Sequence, residues 1–71
     1  MKITYDSEVY ALYIRFIEAT VTTERVAEGI AVDYDSEGHI AGIEVLDAAM
    51  RVGSKDVFRK ITLEDLALQG R

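Results

Sequence analysis

The chain has 71 residues, 8 of them basic and 13 acidic, for a formal charge of −5. That length holds one domain with a thin core. The lack of cysteine excludes disulfides and thiolate metal sites, and a single histidine excludes a histidine-rich metal site within one chain.

Lys2 to Tyr5 is short and β-prone, and Asp6-Ser7-Glu8 reads as a turn in which Asp6 bonds its own backbone two residues on. Val9 to Ile17 is the strongest strand signal: Leu12, Ile14 and Phe16 alternate with Tyr13 and Arg15. Tyr5 and Tyr10 are placed to meet across this first hairpin. Val21 to Val26 reads as a polar edge strand. A short helix over Thr23 to Ala31 is the competing reading, and Gly29 argues against it.

Ile30 to Tyr34 alternates as a strand, with Ile30, Val32 and Tyr34 on one face. Asp35-Ser36-Glu37-Gly38 fits a type I turn followed by a left-handed residue. Ile40 to Leu46 is the next strand. Ala41, Ile43 and Val45 form its expected core face, against Ile40, Gly42, Glu44 and Leu46. Gly42, in mid-strand, leaves room for a neighbouring backbone or ring.

Asp47 is placed to cap a helical turn over Ala48 to Val52, stopped by Gly53. Residues 54–61 fit helix, strand or loop. Thr62 opens a helix of about seven residues, with Leu63, Leu66 and Ala67 on one stripe and Gly70 at its end. A helix that short is marginal alone and must dock on the sheet or on another chain.

Candidate chemistry is sparse. Asp33, Asp35 and Glu37 can offer oxygen to a hard cation, but the spacing is not that of a calcium loop, and a solvated turn explains them as well. His39 follows the turn glycine with no nucleophile pattern beside it, since Ser7, Ser36 and Ser54 lack a strand-elbow context. Gly38 and Gly42 match neither a phosphate loop nor a dinucleotide fingerprint. The expectation is therefore no catalytic residue, no metal ligand and no cofactor. The ligand-binding candidates are Tyr13, Arg15, Asp33 and Glu44, which share the polar sheet face if the strands pair. On that face Arg15 is expected to pair with Glu44 or Asp33. Arg51, Lys55, Arg59 and Lys60 form a local basic stretch, best read as counter-charge to the acidic body or to a second subunit.

The order Lys2-Ile3-Thr4-Tyr5-Asp6, Ala11-Leu12-Tyr13-Ile14-Arg15, Glu28-Gly29-Ile30, Val32-Asp33-Tyr34-Asp35, then Gly38 and Gly42-Ile43-Glu44-Val45-Leu46-Asp47-Ala48 resembles the DUF2283 family of small uncharacterised bacterial and archaeal proteins. The resemblance covers roughly residues 2 to 50. Where this chain has Ser7 the family often has Pro, and near Tyr10 it often has Asp, so an aromatic replaces a polar site. The resemblance implies a small antiparallel β domain with limited helix, and it carries no established enzyme activity. Because some relatives lie beside small toxin-like genes, it also implies an antitoxin or accessory role.

The expected fold is α+β: a small antiparallel β-meander with a short C-terminal helix. Residues 1–71 form a single domain, with a β-rich core over 2–50 and a helical or mixed extension over 51–71. The expected core is Ile3, Leu12, Ile14, Phe16, Ile30, Val32, Ile43 and Val45, with Phe58, Leu63 and Leu66 covering one face. One sheet and a short helix bury little, so a homodimer or larger assembly is expected. The leading function is a structural or protein-interaction domain whose partner is itself. The alternatives are an antitoxin-like partner of a small basic toxin and a small-ligand or metal-binding module. An enzyme would need a pocket between subunits holding His39 or two carboxylates with separated pKa values. A membrane partner is not expected and nucleic acid is disfavoured, because the acidic chain repels phosphate backbones and anionic lipid. No apolar stretch follows the first residues and no uncharged run nears the ~20 residues of a membrane helix, so the expected compartment is the cytoplasm.

Overall fold

The computed structural model describes residues 1–64. Five strands, β1 (Lys2–Asp6), β2 (Ala11–Arg15), β3 (Thr22–Ala27), β4 (Ile30–Tyr34) and β5 (Ile40–Val45), precede a short helix, α1 (Ala48–Arg51), and a 3-10 helix over Lys55–Arg59. The strands form one antiparallel sheet in the order β1-β2-β5-β4-β3. Strands β3, β4 and β5 form the expected meander. The β1–β2 hairpin departs from it by docking on β5, so the link from Phe16 to Val21 joins β2 to the far edge. That span is about 14 Å at ~4.8 Å per strand, within reach of the linking residues.

The turns follow local chemistry. The Glu8 amide donates to Asp6 Oδ1 at 2.9 Å, as the Asp6 turn predicts. Asp35 Oδ1 accepts from the amides of Glu37 at 2.9 Å and His39 at 2.8 Å, and Gly38 takes φ 84°. This is the predicted type I turn with its left-handed fourth residue. The predicted strand over Val9 to Ile17 is shorter, because Tyr10 turns left-handed (φ 57°) and holds the chain in the hairpin loop. The edge-strand reading of Val21 to Val26 prevails over the helix, and every residue of β3 is exposed.

Helix α1 begins where expected, but Asp47 caps it differently. Asp47 is left-handed (φ 52°) and its side chain makes no cap bond, while its carbonyl accepts from the Met50 and Arg51 amides. Gly53 (φ 83°) follows the helix as its stop. Ser54 resolves the ambiguous stretch after it, its hydroxyl accepting from the Asp56 amide at the start of the 3-10 helix. Arg51 ties α1 to the β3–β4 turn: its Nε donates to the Leu46 carbonyl at 2.8 Å, and its guanidinium fills the space a side chain at Gly29 would need. The helix expected from Thr62 onward lies mostly outside the described residues, and Thr62 to Glu64 are not helical.

Register and alternation assign the faces. Ile3, Tyr5, Leu12, Ile14, Ile30, Val32, Ile43 and Val45 share the apolar face. The polar face carries Lys2, Thr4, Asp6, Tyr13, Arg15, Thr23, Arg25, Asp33, Gly42 and Glu44. One irregularity revises the expected pattern of β5. Asp33 pairs with Gly42 but Tyr34 pairs with Ile40, so Ala41 is an extra, bulged residue. The bulge carries Ile40 to the side of Tyr34, away from the Gly42 and Glu44 face expected for it.

The core is smaller than the predicted set. Among the described residues the buried hydrophobics are Val32, Ala41, Ala48 and Ala49. Leu12, Ile14, Ile30, Ile43 and Val45 are half-buried, and Ile3 and Phe16 are exposed. The reason is coverage: α1 and the 3-10 helix lie at one end of the apolar face only. Phe58 takes its expected place there, stacked on Tyr5 with ring centroids 4.4 Å apart. Leu63, expected to cover the sheet, is instead 89% exposed, and Leu66 lies outside the described residues.

The stacking encloses the Tyr5 hydroxyl without a hydrogen-bond partner. Desolvation, with Tyr10 beside it, pushes this phenol above its ordinary pKa. Tyr5→Phe keeps the stacking and removes the orphaned group, so its urea midpoint is expected to equal or exceed that of the native chain. A clear fall in midpoint would show that the hydroxyl has a partner.

Candidate functional site

The four predicted ligand residues do share a face, and the register says how. Tyr13 stands opposite Glu44 on β5, Arg15 opposite Gly42, and Asp33 of β4 opposite Gly42 from the other side. Gly42 thus leaves a gap between Tyr13 and Asp33, and the Tyr13 ring crosses it. The Tyr13 hydroxyl donates to Asp33 Oδ2 at 2.6 Å. A Cβ at Gly42 would lie 2.5 Å from that hydroxyl oxygen, so the cradle exists only because position 42 has no side chain.

Asp33 accepts one hydrogen bond on each carboxylate oxygen, from opposite sides. Thr23, its direct partner on β3, donates its hydroxyl to Asp33 Oδ1 at 2.5 Å. The Thr23 bond, then the Tyr13 bond, hold the Asp33 carboxyl below the ordinary aspartate range. The same carboxylate pushes the Tyr13 phenol up.

Arg15 does not form the expected cross-strand ion pair. It pairs with Glu18 at 2.9 Å, and its guanidinium carbon sits 5.4 Å from the centre of the Tyr13 ring. Its cross-strand neighbours are Lys2 and Gly42, which leaves Glu44 beyond the ring. Glu44 is exposed beside Tyr13. Three of the four residues are therefore in direct contact, and Glu44 flanks them.

Chemically this is a hydrogen-bonded brace across β2, β5, β4 and β3. Its one carboxylate with two donors lacks the separated acid and base of a catalytic pair. Sequence reasoning missed Thr23. Its pairing with Asp33 depends on the β3–β4 register, which the strand pattern alone does not give.

The other candidates have local partners. Asp35 faces backbone amides, chiefly that of His39, which hold its pKa down. His39 Nδ1 lies 3.3 Å from Asp35 Oδ2 on an exposed turn. Arg59 pairs with Asp56 at 3.3 Å within the basic stretch. Among the described residues no group of three or more His, Asp or Glu side chains is arranged to hold a metal ion.

A concavity of about 510 Å³ lies between the Ile17–Thr22 link and the Asp35–Glu37 turn, and two others lie beside the helices. One of these two, of about 370 Å³, is bounded by Tyr5, Ser7, Tyr10, Asp56, Phe58 and Arg59. A neighbouring one, of about 420 Å³, shares Tyr10 as a wall with Ala49, Met50, Gly53 and Ser54. Tyr5 and Tyr10 both line the first of these two, but they do not pair across the hairpin as expected: Tyr5 pairs with Leu12, and Tyr10 is left-handed in the loop.

Among the described residues no helix is long and apolar enough to cross a membrane. None of the curated proteins and none of the solved structures matches the chain. A family model described as a protein of unknown function (DUF2283) matches residues 2–48, a span that runs from β1 through the start of α1 and contains every member of the Tyr13–Asp33–Thr23 brace. With that span exceeding half of its length, the chain belongs to the DUF2283 family.

Proposed function

We propose that the chain is a small protein-interaction domain that works as a homo-oligomer. The observation carrying this reading is the open end of the apolar sheet face. α1 and the 3-10 helix cover the end at Tyr5, and the opposite end is left to solvent. There Ile3, Phe16, Ile17, Val21 and Ile40 are all exposed, Ile40 by 50%. Apolar side chains gathered at one end of a sheet gain about 25 cal/mol for each Å² removed from water, and a second copy is the covering surface always present with the first. A chain with so few buried side chains needs that gain more than a larger domain does. The polar face supports the reading from the other side, because Asp33 spends both carboxylate oxygens on Tyr13 and Thr23.

The test is light-scattering mass over a hundredfold range of protein concentration at two salt concentrations. The expected result is an integer multiple of 7.9 kDa that persists at the higher salt, since apolar burial is not screened. A folded chain of 7.9 kDa at every concentration would overturn the proposal.

A further inference from the structure

The two edges of the sheet differ in what they offer a second copy. A two-fold axis perpendicular to the sheet extends it only when paired residues belong to the same face. At the β3 edge, pairings centred on Glu24 or Arg25 set like charges opposite each other. The irregularity between Arg25 and Ala27 also breaks the ladder there. Both devices discourage association through β3.

At the β1 edge the same symmetry is satisfied. Centred on Thr4, an antiparallel β1–β1 pairing uses the whole strand and sets Lys2 opposite Asp6, Ile3 opposite Tyr5, and Thr4 opposite itself. Lys2, Thr4 and Asp6 belong to the polar face and Ile3 and Tyr5 to the apolar face, so both faces match. Two opposite-charge pairs and a threonine pair would lie on one side, and two apolar pairs on the other. Among the described residues no strand lies beyond β1 at this edge.

We infer that the β1 edge is the surface by which two copies of this chain join, antiparallel and centred on Thr4, into one continuous sheet. The inference rests on the self-association reading and gives it a geometry. It also connects the edge to the open apolar end. Ile3, at that end, meets Tyr5 of the second copy, where Phe58 is already stacked. Of the exposed apolar residues at the open end, the pairing engages Ile3, the one that lies on β1.

The test is a charge exchange read by sedimentation and light scattering on the full chain. K2E makes both ends of β1 acidic and D6K makes both basic. Each alone turns both cross-strand ion pairs into repulsions, and the dimer dissociation constant is expected to rise about tenfold or more. Mixed in equal amounts, the two variants should associate with each other, because position 2 of each copy faces position 6 of the other: the two substituted residues form one acid–base pair, the native Asp6 of K2E and the native Lys2 of D6K form the second, and the apolar pairs are unchanged.

A second measurement does not depend on affinity. The chain has no native cysteine, and Thr4→Cys would place two thiols opposite each other on the axis, within bridging distance for an antiparallel pair. Rapid oxidation to a covalent dimer is expected for Thr4→Cys and not for Thr22→Cys on the β3 edge. A native chain that associates, but is unmoved by K2E and D6K and not bridged through Thr4→Cys, overturns the β1 edge alone. A native chain that never associates overturns the self-association reading and this inference with it.

Discussion

Gly42→Ala should be among the most damaging small substitutions in the sheet, with an expected loss of about 2–3 kcal/mol of stability. The added Cβ would lie 2.5 Å from the Tyr13 hydroxyl oxygen, 3.0 Å from Tyr13 Cζ and 3.0 Å from the Ile14 carbonyl oxygen. Tyr13 can swing away only by giving up its bond to Asp33. The Ile14 carbonyl belongs to β2, which pairs directly with β5, and has no side-chain freedom to use. Urea denaturation of Gly42→Ala, Tyr13→Ala and the double variant measures the coupling. The double variant is expected to lose clearly less than the sum of the singles, because the ring that clashes is already gone. A Gly42→Ala chain within about 0.5 kcal/mol of the native one would show that the ring is not held over position 42.

The second large effect is the dependence of stability on pH set by one hydrogen bond. Asp33 has a folded pKa below its ordinary 3.8, chiefly through Thr23 and then Tyr13. Its contribution is present above the ordinary value and is lost as pH falls through the lowered one. Tyr13 has a folded pKa above its ordinary 10.0, chiefly through Asp33. Its contribution is present below the ordinary value and is lost as pH rises through the raised one. The brace therefore stabilises the fold across the neutral range and weakens at both ends. Asp33→Asn is expected to cost about 1–2 kcal/mol at neutral pH, a figure reduced from that of a buried charged bond because both partners are partly in water. The gap between native and Asp33→Asn should close in acid. Tyr13→Phe should lose less at neutral pH, since Thr23 still serves the carboxylate, and should remove the alkaline limb due to Tyr13. Asp35, also held low by the His39 amide, leaves an acid limb in both variants. A native-to-Asp33→Asn difference that stays constant from neutral pH down through acid would remove Asp33 as its source.

These effects arise where the sequence was partly informative. A glycine in mid-strand announced a close approach, and alternation put Tyr13 and Asp33 on one face. The identity of the approaching ring required a register: Asp33 opposite Gly42, and Arg15 rather than Tyr13 directly across from it on β2. Thr23 entered the brace only because β3 pairs with β4 through Asp33. Arg15 was placed on the right face but paired with Glu18, the local carboxylate, because Gly42 stands where a cross-strand partner would be.

The sequence by itself determined what depends on neighbours in the chain. Asp35 and Gly38 made their turn, Asp6 made its own, Gly53 followed α1 as its stop, and strand alternation marked β4 and most of β5. Backbone sterics and side chain to backbone bonds within a few residues are enough for each of these. Only the tertiary structure decided which strands adjoin, since the docking of β1–β2 on β5 satisfies alternation no better than a simple meander would. It alone placed the Ala41 bulge, which moved Ile40 across the sheet, and the left-handed Tyr10 that shortened β2. It also decided how much of the apolar face is covered, because a short helix and a 3-10 helix reach only one end of it. Hydrophobic patterning says which side chains avoid water, whereas their burial depends on how much chain is left to lie over them.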